Sequence, residues 1–190
     1  MKTTSLPFRR KLNGKTNYRQ RMKLLLSKKP RLVVRKSLKN IIAQVVEYFP
    51  EGDKIVSSAN TAELKKLDWK GSSGNVPSAY LVGLLIGKKA KEKQIEEVVL
   101  DLGLQKTIKG SRLFALTKGV IDAGIKIPHS PEIFPDEKRI SGAHISDFGA
   151  KLKEDNEKFN KQFSSYVKNN VNVSDIPKNF EETKKKILGA

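Results

Sequence analysis

Cysteine is absent from the 190-residue chain, which excludes disulfides and thiolate metal sites and fits a reducing compartment. No apolar run approaches the roughly 18 residues that a membrane span requires. No apolar stretch near the N terminus is long enough for a secretory signal. Histidine occurs only at 129 and 144, in proline- and glycine-bounded loops without a ligand spacing such as HxxxH, so no metal site is expected. No serine lies in a nucleophile-elbow pattern. The most informative absence is of acid: residues 1–46 carry fourteen Lys/Arg and no Asp or Glu.

The charge that is present follows from that gap. Residues 47–150 carry fifteen cations against fourteen acids, and residues 151–190 nine against six. The net charge of +18 and the pI near 10.0 are therefore made almost entirely by the N-terminal quarter. A basic arm on a near-neutral globular body favours a polyanionic partner, nucleic acid or an anionic membrane. A mitochondrial transit peptide is also basic and acid-free, but here the basic character runs unbroken into the first strand.

Residues 1–14 lack apolar periodicity and contain Arg9-Arg10-Lys11, so alone they should be disordered. Thr16 to Ser27 reads as a short helix capped by Thr16 or Asn17, with Tyr18, Met22, Leu25 and Leu26 as its apolar face. It should dock on the body and turn its cations toward a phosphate backbone. A basic amphipathic helix lying on a membrane is the alternative. Residues 31–35 and 40–46 are β-branched runs around a polar bend, which predicts a hairpin. The second run is apolar at both parities, so both of its faces should be covered. Arg31, Arg35, Lys36 and Lys39 should sit at strand ends and the bend, outside the core, either as gatekeeper charges or as contacts to an anion.

A turn at 50–53 precedes a third strand over 54–59, and Trp69 should anchor packing after a helical turn. The loop Gly71–Gly74 feeds a buried helix from about 76 to 91. Such a loop can hold a phosphate, but it lacks the Lys-Ser/Thr of a P-loop and the basic clamp of a KH domain. A strand over 97–103 and a helix over 112–123, stopped by Gly124, complete a mixed-sheet α/β sandwich. From Asp147 one helix should run to about Asn169, with Phe148, Leu152, Phe159, Phe163 and Tyr166 in a stripe. A last helix should start at Ser174 or Asp175. The divisions expected are an arm (1–30), an α/β core (31–146) and a helical extension (147–190).

Catalysis is not expected. Asp53, Asp101, Asp122 and Asp147 are candidate carboxylates, but a two-metal nuclease needs acids converging on ions about 4 Å apart. Asp101 has no second acid on the central strands, and caps and turns account for all four.

Several stretches together resemble one family. They are LNGKTNYRQRMKLLLSKKPRLVVRKSLKNIIAQVV, SSANTAEL, WKGSSGNVPSAYLVGLLIGKKA, VVLDLGL and IPHSPEIFPDEKRISGAHI. The chain resembles, to about residue 169, the archaeal form of the large-subunit ribosomal protein that binds 5S ribosomal RNA (the L-eighteen family), related to its eukaryotic counterpart. The last helix matches less clearly, and Asn40 stands where many bacterial members have His. The resemblance implies a core of the translational-machinery, ribonuclease-H-like type and a cytoplasmic, non-enzymatic role in the large subunit. It implies attachment of 5S RNA to large-subunit RNA in the central protuberance, beside the other 5S-binding protein and its neighbours. No cofactor, membrane or small-molecule substrate is implied.

Carried over, the RNA contacts would be Arg9, Arg10, Lys11, Lys15, Asn17, Tyr18, Arg19, Arg21 and Lys23 on the arm. On the sheet they would be Arg31, Arg35, Lys36, Ser37, Lys39 and Asn40, with Ser57, Ser58, Asn60 and Thr61 at the third strand's exit. Lys70, Ser72, Ser73 and Asn75 would extend the surface. Chemically, Arg and Lys suit phosphates, hydroxyls and Asn suit 2′-hydroxyls, and Tyr18 suits stacking on an unpaired base. The other readings are a free-standing RNA-binding regulator or biogenesis factor, and a metal-dependent nuclease.

Overall fold

The first helix is a single turn, α1 (Arg9–Leu12), in a computed structural model that describes residues 6–153 and 155–189. The described part of the arm is thus not featureless: the Phe8 ring packs on Tyr18 with centroids 4.8 Å apart. Residues 1–5, part of the segment expected to be disordered, lie outside the described residues. Helix α2 (Tyr18–Leu25) starts at Asn17, whose side-chain oxygen accepts from the Gln20 amide at 3.2 Å.

Strands β1 (Arg31–Lys36) and β2 (Ile41–Glu47) form the expected hairpin, with Leu32 opposite Val45 and Val34 opposite Ala43. Its bend is closed by Ser37, whose amide and hydroxyl both donate to the Asn40 carbonyl, at 2.8 and 3.0 Å. Strand β3 (Lys54–Asn60) pairs antiparallel with β2 through a bulge at Val45/Val46. Strand β4 (Val99–Asp101) returns parallel to β1 and completes the order β3-β2-β1-β4. It is shorter than expected, because Glu97 bridges to Lys126 and positive-φ Gly103 turns the chain away.

One face of this sheet makes the core. Leu32, Val34, Ile41, Ala43, Val45 and Ala59 are all buried there under α3 (Val76–Glu92) and α4 (Arg112–Asp122). Helix α3 follows its Asn75 cap, whose side-chain oxygen accepts from the Ser78 amide, and carries Pro77 in its first turn. It is apolar almost all round because the sheet, α4 and the last helix each cover part of it. At the α3–α4 crossing the backbones meet directly, Gly83 against Leu116 and Gly119 against Tyr80.

The opposite sheet face corrects the expectation for β2. Ile42 is 46% exposed and Gln44 is half-buried, while Val46 on the same face is 5% exposed, so the second face of β2 is covered only at its Val46 end. The apolar residues at its second parity are spread along a face that the arm roofs in part.

The C-terminal region differs more. The single helix expected over 147–169 is a series: after α5 (Glu137–Ile140) come α6 (Ala143–Leu152), α7 (Asn156–Gln162) and α8 (Ser164–Lys168). Asp155 restarts the helix by accepting from the Lys158 amide at 3.1 Å. The break at Phe163 turns its ring into the core, 5.1 Å from Phe159 and 5.9 Å from Tyr166. Phe148, placed on the same stripe by periodicity, stays 46% exposed. Helix α9 (Ile176–Leu188) packs on the body, burying Ile176, Phe180, Thr183 and Ile187, while Lys88 of α3 donates to the Ile187 carbonyl at 2.8 Å. Among the described residues no helix is long and apolar enough to cross a membrane.

Candidate nucleic-acid interface

The open sheet face follows from strand alternation. Arg31, Val33 and Arg35 of β1 pair with Val46, Gln44 and Ile42 of β2, while Ser58 and Asn60 of β3 continue the row. Helix α2 lies over the Arg31 end and encloses a cleft of about 630 Å³ with the sheet. Arg10, Lys15, Asn17, Tyr18, Arg35, Gln44 and Gly103 are among its walls.

An alternating chain of charges runs through that cleft. Arg21 of α2 grips Asp53 with both guanidinium nitrogens at 2.8 Å. Arg31 donates to the same carboxylate at 2.7 Å and to Asp101 at 2.9 Å. Arg35 donates to the Asp101 carboxylate at 3.1 Å and to its carbonyl at 2.8 Å. The Arg35 guanidinium lies over Gly103, where a Cβ would come within 2.9 Å of its central carbon. A side chain at 103 would displace it.

These pairs overturn two expectations. Arg31 was placed outside the core at a strand end, yet it is 2% exposed and held by two carboxylates. Carboxylates were not expected to converge because no second acid shares the central strands with Asp101, yet Asp53 reaches the same arginine from the turn before β3. What they converge on is the Arg31 guanidinium, so the space between the two carboxylates already holds a cation. Among the described residues no cluster of three or more His, Asp or Glu could hold a metal ion.

Helix α2 also docks differently from the periodicity reading. Its inward residues are Tyr18, Arg21, Leu24 and Leu25, while Met22 and Leu26 are 69% and 79% exposed. The ion pair with Asp53 rotates the helix, so Arg21 faces the body rather than solvent. Arg19 and Lys23 project outward, and Arg9, Lys11 and Lys15 are exposed on the preceding turn. Arg10 is exposed but donates to the Thr16 hydroxyl at 2.9 Å, tying α1 to the start of α2. Asn17 spends its side-chain oxygen on the cap, and Tyr18 is half-buried against Phe8.

The Arg21 hydrogen bonds, and after them the Arg31 contact, hold the Asp53 carboxyl below the usual carboxylate range, against the opposing effect of burial. The same pair raises the Arg21 guanidinium. A depressed folded-state pKa gives stability that is present above the unfolded value of about 4 and lost as pH falls through the folded one. Arm docking is therefore expected to weaken below about pH 4. Substituting Asp53→Asn should flatten that acid limb when arm order is followed by amide exchange, whereas an unchanged limb would remove Asp53 from it.

At the far end of β1 the hairpin tip presents Lys36, Ser37, Lys39 and Asn40, all exposed. It rests on the glycine-rich loop: a Cβ at Gly74 would lie 3.2–3.3 Å from the Leu38 and Lys39 carbonyls, and Arg112 donates to the Gly74 carbonyl at 2.6 Å. The tip and that loop, separate in sequence, thus form one corner. Lys70 and Ser72 are exposed there and Ser73 is half-buried, while the Ser72 amide donates to the Tyr166 hydroxyl at 2.9 Å. Burial pushes the Tyr166 phenol up from its ordinary value.

Four of the remaining sequence candidates are internal to varying degree. Thr61 is fully buried; its hydroxyl accepts from the Ile41 amide at 3.2 Å and donates to Asn40 at 3.0 Å. That donation holds the Asn40 side chain at the hairpin end. Ser57 points to the face opposite Ser58, and its hydroxyl is buried. Asn75 caps α3, with its amide nitrogen buried. Asn60 accepts from the Ala62 and Glu63 amides, which commits its oxygen but not its nitrogen. Thr61, Ser57 and Asn75 thus shape the surface from beneath, a role set by strand parity and capping that composition does not show. Sequence reasoning passed over Ile42 and Gln44, which line the open face, and Leu38, 88% exposed at the tip. Their signal was the alternation along β1 and β2, which apolar residues at both parities obscured.

A family model described as ribosomal large subunit proteins 60S L5 and 50S L18 matches residues 2–97 and 88–130. The chain belongs to this family. It is therefore a ribosomal protein of the large subunit, with the RNA-binding and translational character of that class and a structural role. The matched segments contain the arm, the hairpin, β3, the glycine-rich loop and β4, which build the face described above, together with α3 and α4, which support the sheet from its other side.

Proposed function

We propose that this ribosomal protein binds 5S ribosomal RNA and attaches it to large-subunit RNA, forming the central protuberance beside the other 5S-binding protein. The supporting observation is the surface built by an acid-free N-terminal quarter. Outward cations of α1 and α2, the open sheet face and the hairpin corner lie along one side, and the two acids beneath them are already paired with arginines. Phosphates would meet Arg9, Lys11, Lys15, Arg19, Lys23, Lys36, Lys39 and the 45% of the Arg35 side chain left exposed beside Asp101, while Ser37, Ser58, Asn60 and Ser72 suit ribose hydroxyls. In this reading residues 1–30 are the RNA-facing arm, 31–146 the core and 147–190 an extension.

The test is a titration of the protein with 5S RNA against a transfer RNA competitor at two salt concentrations. Affinity should fall with salt while the preference for 5S RNA persists. Equal binding of both RNAs would favour a general polyanion clamp, as in a free-standing regulator. In the same assay Arg35→Ala combined with Lys36→Ala is expected to weaken 5S binding roughly 10- to 100-fold, the loss of two charge-assisted contacts. Unchanged affinity in a folded double variant would remove both residues from the interface.

A further inference from the structure

We infer that Asp53, an acid inside a basic surface, is a positioning residue for RNA binding: it straps α2 to the sheet and so presents the arm's outward cations in a fixed arrangement before RNA arrives. The inference rests on the 5S-binding reading for its functional consequence, and on geometry alone for the strap.

The geometry is specific. Arg21 is the only cation of α2 turned inward among the described residues, and it meets Asp53 in a bidentate fork. Asp53 is itself anchored from below by Arg31, which Asp101 fixes in turn. The carboxylate is therefore a rigid socket for an arm side chain, attached to the body through a buried arginine. The remaining inward residues, Tyr18, Leu24 and Leu25, are only half-buried, and Met22 and Leu26 are exposed, so apolar contact alone holds α2 weakly. With the fork in place, Arg19 and Lys23 keep their positions relative to β1. Binding then needs less ordering of the arm than a loose segment would require.

This assignment makes a prediction opposite in sign to simple electrostatics. Removing a negative charge from a protein that binds RNA should tighten binding if only the field matters. If Asp53 positions the arm, Asp53→Asn should weaken binding although the net charge becomes more positive. Glu51→Gln removes the same charge two residues away, from an exposed side chain, and serves as the control.

Two measurements test it. Limited trypsin digestion of the RNA-free protein should cut between residues 19 and 29 about tenfold faster in Asp53→Asn than in wild type, with Glu51→Gln unchanged. Arg21→Gln leaves Arg31 between its two carboxylates and should release the arm equally, separating the strap from core damage. Titration with 5S RNA should then show Asp53→Asn about tenfold weaker than Glu51→Gln, with Asp53→Glu restoring part of the loss. Wild-type cleavage rates in both strap variants would overturn the inference, as would RNA binding by Asp53→Asn at least as tight as by Glu51→Gln. Failure of the 5S reading is seen separately, as loss of preference over transfer RNA in the wild type, while arm protection without RNA still reports the strap.

Discussion

Replacing Arg31 with alanine is expected to destabilise the fold by about 3–5 kcal/mol, the loss typical of breaking a buried ion pair from one side. The Arg31 side chain is 3% exposed and its partners Asp53 and Asp101 are 29% and 10% exposed. Removing the guanidinium leaves two carboxylates facing a cavity. Asp101 retains Arg35 and the Gly103 amide, and Asp53 retains Arg21, so both stay near their present places with no cation between them. Urea denaturation should give a lower midpoint with a similar slope. A second signature distinguishes repulsion from simple cavity loss: the deficit should narrow below about pH 4, where protonating Asp53 relieves the repulsion. A deficit that stays constant with pH, or is under 1 kcal/mol, would show that Arg31 is not the electrostatic keystone.

Gly83→Ala is expected to cost about 3 kcal/mol, although alanine is the better helix former by up to about 1 kcal/mol. A Cβ at Gly83 would overlap the Leu116 carbonyl oxygen and come within 3.1 Å of the Gly119 Cα. These are backbone atoms of a packed helix, so no rotamer change relieves the contact, and α3 and α4 must separate. Separation opens space around Leu81, Leu84, Leu113 and Leu116, all at most 1% exposed. For a chain of this size the melting temperature should fall by roughly 6–12 °C. A melting temperature at or above that of wild type would mean that the helices accommodate the methyl group, and propensity would then set the sign.

Much of the fold was legible because its signals are local. The β1–β2 hairpin announces itself through β-branching around Lys36–Lys39, and α3 through the Asn75 cap, Pro77 and the closing lysines. The end of α4 follows from Gly124, whereas Ser111 stands at its N-cap position without a side-chain cap bond. What was not legible depends on partners far apart in sequence. Arg31 reads as a surface cation until Asp53 and Asp101 are brought to it across 22 and 70 residues. The inward turn of Arg21 depends on the same acids. The open face of β2 was hidden because Ile42 is apolar yet uncovered, and the division of 147–169 was hidden because Asp155 caps a helix that periodicity carries straight through. Within the candidate interface, residue type pointed to the segments that build the open face and the hairpin corner. Parity and capping then decided which side chains face outward, turning Ser57, Thr61 and Asn75 inward beneath Ser58, Asn60 and Ser72.

The parallel pairing of β4 with β1 has a consequence for the order in which the chain matures during synthesis. The β1–β2–β3 meander is complete once residue 60 is available, but β1 stays an open edge until Val99–Asp101 has been made. Until then Arg31 has only one of its two counter-ions, and the socket that receives Arg21 is half built. Helix α2, made before the sheet on which it docks, thus settles only after β4, whose Asp101 lies 70 residues beyond Arg31.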